Sequence, residues 1–283
     1  MQKEELDWNL VIDSKRGLFD LKLGKVWSYR DLLILLVRRD FVAFYKQTIF
    51  GPLWFFIQPL FTTITFTVIF GRLAGISTDG LPPVLFYLVG ITCWNYFSES
   101  LIKTSTVFRD NAGIFGKVYF PRVIMPLSIV FSNLIKFGVQ LLLLVIILLF
   151  YNLTGNHYWP SFYIIFFPML VLIMAGLGLG FGMIVSAMTI KYRDLAFLIT
   201  FSIQLLMYAT PVIYPLSTIP ADKQWIILLN PMSQVVELAR LGLLGKGYFN
   251  WLSLGYTFSV TMLVLLLGTV IFNKAEKNFV DTI

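Results

Sequence analysis

The amino-acid sequence predicts an all-α integral membrane protein with six transmembrane helices, and three observations support this fold class. Residues 47–71, 80–98, 195–221 and 247–273 contain no Asp, Glu, Lys or Arg. A crossing helix needs roughly 20 apolar residues because the hydrocarbon core of a bilayer is ~30 Å thick. Hydrophobic residues make up 58% of the 283 residues and charged residues only 13%, whereas about a quarter of a soluble domain is charged. A soluble protein is therefore excluded.

The third observation is the distribution of Lys and Arg around the apolar stretches. The predicted spans are 53–70, 84–106, 124–150, 162–188, 195–213 and 251–272. An even number of spans leaves both termini on one side of the membrane. The segments on that side are the two termini and the second and fourth loops, and they hold 16 Lys and Arg, whereas the segments on the other side hold 4. Both termini are therefore expected to be cytoplasmic. The net charge of +7 follows this membrane pattern and does not form the basic patch of a nucleic-acid-binding protein.

The spans divide the chain into three regions. Residues 1–46 form a cytoplasmic N-terminus with an interfacial amphipathic helix, 47–273 the transmembrane domain, and 274–283 a cytoplasmic tail. At 100° per residue, three basic residues of the predicted helix over 32–46 share an arc of roughly 100° with Asp31. They are Arg38, Arg39 and Lys46, whereas Arg30 and Asp40 depart from this pattern. We expect this helix to lie in the membrane interface with Tyr45 at headgroup depth, and a soluble cap is the alternative.

Residues 214–249, between the fifth and sixth spans, are too apolar for an exposed loop and too interrupted for a span. Asn230 and Pro231 suit the N-cap and first position of a second short helix. A re-entrant helix pair over about 219–245 is therefore predicted, with Glu237 and Arg240 paired to lower the cost of their burial. A surface hairpin with one apolar face is the alternative.

The residue types needed for catalysis are scarce. His157 is the only histidine and Cys93 the only cysteine, so the sequence predicts no catalytic residue, no metal site and no disulfide. No GxxxxGK[ST] phosphate loop occurs. If transport is driven by ATP, the ATPase must be another polypeptide, and this chain needs no cofactor of its own.

Polar and small residues inside the spans allow several interpretations. Spaced four apart, Gly176 with Gly180 and Gly178 with Gly182 predict two faces for close helix packing. Glu99 is either a functional intramembrane acid or the structural partner of Lys103 at i,i+4. Lys136 either snorkels or lines a cavity.

Aromatic side chains offer a glycan-binding surface, because rings can stack on sugar faces. The candidate channel-lining residues are Tyr87, Trp94, Tyr96, Glu99, Tyr208 and Tyr214. The alternative for the rings is that they face lipid or other helices.

Six sequence blocks in order over about 240 residues resemble the permease subunit of bacterial ATP-binding-cassette polysaccharide exporters. The O-antigen export permeases are the most similar of these, and the capsule and teichoic-acid permeases are near relatives. The blocks lie at 38–59, 117–128, 192–194, 210–215, 229–232 and 276–281, and include the Lys117-Val-Tyr-Phe-Pro-Arg122 and Leu229-Asn-Pro-Met232 sequences.

This resemblance implies a homodimer in the bacterial inner membrane with two cytoplasmic ATPase subunits, which bind ATP and Mg²⁺. A polyprenyl-diphosphate-linked glycan would pass through it, with the helix pair at 219–245 shaping the external exit. The loop after the second span would seat on the ATPase as a coupling element. Its residues are Arg109, Asp110, Lys117, Tyr119, Phe120, Pro121 and Arg122.

Two other classes of function stay as alternatives. A membrane-embedded enzyme acting on polyprenyl-linked sugars needs acids or histidine at a membrane face, but Asp110 and Asp194 stand singly beside arginines. An ion-coupled carrier is expected to show repeated halves and several intramembrane charges.

Overall fold

The computed structural model describes residues 23–46, 48–115, 120–155 and 157–280, and every regular element in these ranges is helical. The α-helices of the described ranges are α1 (Leu23–Ser28), α2 (Arg30–Tyr45), α3 (Trp54–Phe66), α4 (Pro83–Ser105), α5 (Val107–Asp110), α6 (Ala112–Phe115), α7 (Ile124–Leu153), α8 (Phe167–Thr189), α9 (Leu195–Ala209), α10 (Gln224–Leu228), α11 (Pro231–Leu244) and α12 (Trp251–Val280). Short 3₁₀ turns at Gly51–Leu53 and Phe162–Phe166 lead into α3 and α8, and a π-helical segment, Thr67–Leu73, extends α3. The expectation of an all-α fold is confirmed.

Four helical segments of the described chain are long and apolar enough to cross a membrane: Gly51–Leu73, Ile124–Leu153, Phe162–Thr189 and Trp251–Glu276. They coincide with the first, third, fourth and sixth predicted spans. At the position of the second predicted span, α4 has 23 residues but carries the charged residues Glu99 and Lys103 toward its C-terminal end. At the position of the fifth, α9 has 15 residues, which cover only about 22 Å.

The end of α9 and the end of α12 differ from their predicted limits. Helix α9 stops at Ala209, short of residue 213, because Thr210 is extended (φ −100°, ψ 143°) and precedes Pro211. Helix α12 continues to Val280, so no break separates the last span from the tail at 273.

The two glycine faces predicted from the sequence are confirmed, and they place α8 at the centre of the bundle between α4 and α12. A Cβ atom on Gly180 would lie 2.9 Å from the carbonyl oxygen of Val264 in α12. A Cβ atom on Gly178 would lie 2.8 Å from the Cβ of Ser100 in α4. Hydrogen in place of a side chain thus lets both neighbouring helices approach α8 at backbone distance.

The two ends of the bundle are packed differently. At what we name the proximal end, α2, α5, α6 and the start of α7 meet the last turns of α8 and α12 around Leu36, Phe108 and Phe272. At the distal end, α11 packs against the first half of α4, where Arg240 contacts Phe86.

The region predicted as a re-entrant pair contains the short helices α10 and α11. As predicted, the Asn230 side chain caps α11 by accepting a hydrogen bond from the Met232 N–H (3.1 Å), and Pro231 occupies the first position. Gly245 ends the helix in the left-handed region (φ 74°). Helix α11 is almost wholly buried, whereas Trp225 of α10 is 61% exposed.

Candidate functional site

A charged groove runs between α2, α3, α4 and α7. Its proximal part is a cavity of about 430 Å³ whose lining includes Arg39, Asp40 and Asp110. An adjoining cavity of about 300 Å³ reaches Glu99 and, on α3, Gln58. The two parts share Lys103 and Lys136, and together they are called the charged groove below.

The charged groove adjoins a third cavity along α3. This α3 aromatic pocket has a volume of about 690 Å³ and is lined by Phe50, Trp54 and Phe61 with Gln58, which also lines the charged groove. An amide thus stands between a charged surface and three aromatic rings.

Glu99 is the centre of the charged groove. Its Oε2 accepts hydrogen bonds from Nζ of Lys136 (2.9 Å) and Nζ of Lys103 (3.3 Å). Lys103 Nζ also donates to Asn133 Oδ1 (3.4 Å), and Asn133 Nδ2 donates to Ser100 Oγ (3.3 Å). The expected Glu99–Lys103 pair is confirmed, and Lys136 lines the cavity with only 12% of its side chain exposed.

Helical spacing explains why these side chains converge. Glu99 and Lys103 lie one turn apart on α4, while Asn133, Lys136 and Gln140 recur at three and four residues on α7. Residues at these spacings share one helix face. Ser100, next to Glu99 on α4, packs on Gly178 of α8 and accepts the hydrogen bond from Asn133, so the polar faces of α4 and α7 meet beside α8.

A second polar centre lies at the distal end, and we name it the Arg240 clamp. The guanidinium donates to the carboxylate of Glu237 (3.1 Å) and to the carbonyl oxygens of Pro211 and Val212. Glu237 Oε1 also accepts from the Leu216 N–H (3.3 Å). The predicted pair is confirmed, with both side chains at most 3% exposed.

The Arg240 clamp therefore fixes the chain that follows α9. Arg240 also stacks 3.6 Å above the Phe86 ring of α4. The clamp joins the turn at Pro211–Leu216 to α4 and α11. The sequence pattern did not reveal this link, because the acceptors are backbone carbonyls 28 and 29 residues from Arg240.

The described part of the predicted coupling loop is anchored at the proximal end. Phe108 stacks on Phe272 of α12 (4.6 Å between centroids), and Phe120 is buried in the same cluster. Arg122 Nη1 donates to the carbonyl oxygen of Glu276 (3.1 Å), and its guanidinium lies 5.2 Å from the centroid of the Phe115 ring. The loop is therefore tied to the end of α12.

The remaining coupling-loop residues differ in exposure. Arg109 and Asp110 are exposed and hydrogen-bonded to each other (2.9 Å), while Pro121 is half-buried. Lys117 and Tyr119 lie outside the described residues.

The candidate channel-lining aromatics fall into two groups. Tyr87, Trp94 and Tyr96 are each at most 3% exposed, in contact with neighbouring helices. They are core side chains of this chain, and nothing in the spacing of the aromatics distinguished that role. Tyr208 is 49% exposed and Tyr214 is half-buried.

Helix α2 turns its predicted apolar side toward the bundle. Leu36 is buried, and Leu32 and Leu33 pack against the proximal cluster. Arg38, Arg39 and Lys46 are exposed, together with the apolar Ile34. The side chain of Tyr45 lies outside the described residues.

Comparison with known proteins places this architecture in a family. Residues 31–244, about three quarters of the chain, match the ABC-2 type transporter family. The chain belongs to that family. This ABC-2 permease is 31% identical over 210 residues to the O-antigen export system permease protein RfbA of Myxococcus xanthus, covering 74% of this chain and 78% of that protein.

Two further relatives extend over more of this ABC-2 permease. An O-antigen export system permease protein RfbA of Klebsiella pneumoniae is 26% identical over 251 residues, 89% of this chain and 94% of that protein. The polysialic acid transport protein KpsM of Escherichia coli is 20% identical over 231 residues, 80% of this chain and 86% of that protein. The resemblance expected from the sequence blocks is therefore confirmed, and the chain is a multi-pass membrane transport protein.

Proposed function

We propose that this ABC-2 permease exports a polyprenyl-diphosphate-linked polysaccharide of the O-antigen type across the bacterial inner membrane. The observation that carries this proposal is the near full-length similarity to an O-antigen export permease, over 94% of that protein. Identity to the O-antigen permeases reaches 31%, against 20% for the polysialic acid transport protein. An O-antigen substrate is therefore favoured over a capsule or teichoic-acid polymer, which would be moved by the same mechanism.

The proposed architecture has six spans, with α4 and α9 as the second and fifth, and α10 and α11 as a re-entrant pair. Helix α11 has 14 residues and so covers about 21 Å, less than the ~30 Å needed to cross. The charge distribution of the sequence supports cytoplasmic termini, which makes the proximal end the cytoplasmic one.

We propose a homodimer in which α9 faces the second copy. Helix α9 buries only Ala196 and Ile203 within the protomer, so most of its surface is available to a partner. Two separate ATPase subunits dock on the proximal end, where ATP and Mg²⁺ bind to them and not to this chain. Their closure moves the loop from Arg109 to Arg122, which acts as a lever because its Phe115 and Phe120 are buried in the same apolar cluster as Phe272 of α12.

We predict that Arg122→Gln uncouples ATP hydrolysis from export. The substitution removes the charged hydrogen bond to the Glu276 carbonyl, so the loop can move without α12. Export per ATP hydrolysed should fall by about tenfold, given the 1.5–3 kcal/mol typical of such a bond. The ratio is measured in vesicles, with Arg193→Gln, an exposed arginine between α8 and α9, as the control. An unchanged ratio in Arg122→Gln would remove the coupling role.

We also predict that depleting the permease in cells makes a lipid-linked glycan accumulate. Mass spectrometry of the polyprenyl diphosphate fraction identifies that glycan, and its disappearance when the permease is restored is the control. An O-antigen repeat is the expected product, and unchanged lipid-linked glycan pools would contradict the proposed function.

A further inference from the structure

We propose that the charged groove binds the diphosphate headgroup of the polyprenyl lipid that carries the exported glycan. The choice of this lipid rests on the proposed function. Three features of the groove support a diphosphate ligand: its charge, its position and its continuity with the α3 aromatic pocket.

The charge balance of the groove favours an anionic ligand. Among the residues that the structure describes, Asp40 is bonded to Arg39 and Asp110 to Arg109. Glu99, by contrast, is shared by Lys103 and Lys136, so two ammonium groups face one carboxylate. Two ammonium groups that share one carboxylate beside apolar spans are costly to bury, and a bound phosphate oxygen would lower that cost by accepting charge-assisted hydrogen bonds.

The position of the two lysines suits a headgroup. Lys103 is 46% exposed, and both lysines line the part of the groove that opens toward α2 and the proximal end. Helix α2 leaves Ile34 exposed beside Arg38, as expected of a helix in the membrane interface. A lipid whose tail stays in the bilayer can therefore place its phosphates against Lys103 and Lys136.

The surface next to the lysines suits the first sugar of the glycan. Gln58 and Gln140 line the same cavity as Lys136, and their amides both donate and accept hydrogen bonds. Beyond Gln58, Trp54 and Phe61 offer ring faces in the α3 aromatic pocket. The lysines would thus contact the diphosphate, and the amides and aromatic rings that follow would contact the sugar attached to it.

A charge series at the groove tests the proposal. The permease with its ATPase partner is placed in phosphatidylcholine nanodiscs, and the Kd for undecaprenyl diphosphate is measured by native mass spectrometry. Lys136→Met removes one of the two ammonium groups that share Glu99, so binding should weaken by about tenfold, as expected for one charge-assisted hydrogen bond. Glu99→Gln adds excess positive charge, so binding should tighten. The Glu99→Gln/Lys136→Met double variant should return close to the wild-type affinity.

The opposite signs of the single variants separate ligand binding from a structural role. Loss of a purely structural ion pair would weaken binding in both single variants, or change neither, and either result would overturn the proposal. Lys191→Met, an exposed lysine at the end of α8, is the matched control and should bind as the wild type does. If Lys136→Met does not yield a monodisperse complex, Lys103→Met replaces it with the same expected direction.

Competition identifies the source of the phosphate. Phosphatidylglycerol added at the concentration of the probe should displace little undecaprenyl diphosphate, and inorganic pyrophosphate should displace it at higher concentration. Equal competition by phosphatidylglycerol would mean that the groove holds ordinary phospholipid and would overturn the assignment. If the wild-type complex exports glycan but the charge series has no effect, only this inference fails. If it exports no glycan, the proposed function fails as well.

Discussion

Gly180→Leu is expected to prevent formation of the stable bundle. A Cβ atom at this position would lie 2.8 Å from the Val264 side chain and 2.9 Å from its backbone carbonyl oxygen. Backbone cannot rotate away as a side chain does, so α8 and α12 must separate. Overpacking of this kind costs about 3 kcal/mol or more. Thermal unfolding in detergent and the monodisperse fraction on size-exclusion chromatography measure the loss.

Gly255→Leu is the matched control for Gly180→Leu. Gly255 lies on α12, and a Cβ atom there meets no other heavy atom within 4 Å. Its replacement should leave stability within about 1 kcal/mol of the wild type, since Gly is a poor helix former. Equal stability of the two variants would contradict the packing described for α8.

Arg240→Met is expected to cause the second large loss of stability. The substitution leaves the Glu237 carboxylate buried without its cation and removes the donors to the carbonyls of Pro211 and Val212. Breaking a buried pair by removing one partner costs about 3–5 kcal/mol. Thermal unfolding of the purified protein checks this value.

Adding Glu237→Gln to Arg240→Met should recover part of the loss. The glutamine removes the buried charge but keeps an oxygen for the Leu216 N–H, which donates to Glu237 in the wild type. Recovery should be partial because the two carbonyls still lack a donor. A double variant no more stable than Arg240→Met would show that the Glu237 charge is not the cause.

Features that depend on local sequence could be predicted well. Four of the six predicted spans coincide with long apolar helices. The cap of α11 follows from Asn230 and Pro231, and the two helix-packing faces from glycines four residues apart. The Glu237–Arg240 and Glu99–Lys103 pairs follow from helical spacing. The cap, the packing faces and the two ion pairs each depend on residues at most four positions apart.

Features that depend on how helices face each other could not be predicted. Lys136 is 37 residues from Glu99 along the chain, and only the rotation of α7 against α4 brings them together. The same uncertainty applies to Tyr87, Trp94 and Tyr96, because an aromatic residue in an apolar helix can face core, lipid or channel. Lys136 did carry one signal: with Lys103, it is one of two cations inside the predicted spans.

The most direct test of the central claim is ATP-driven transport by the purified components. The permease and its ATPase are reconstituted in vesicles with a labelled polyprenyl-diphosphate-linked glycan, and a membrane-impermeant glycosidase reports which leaflet the glycan occupies. The label is expected to move away from the ATPase side only when both ATP and the ATPase are present. Movement at the same rate with the permease alone, or chemical conversion of the glycan by the permease alone, would contradict the account.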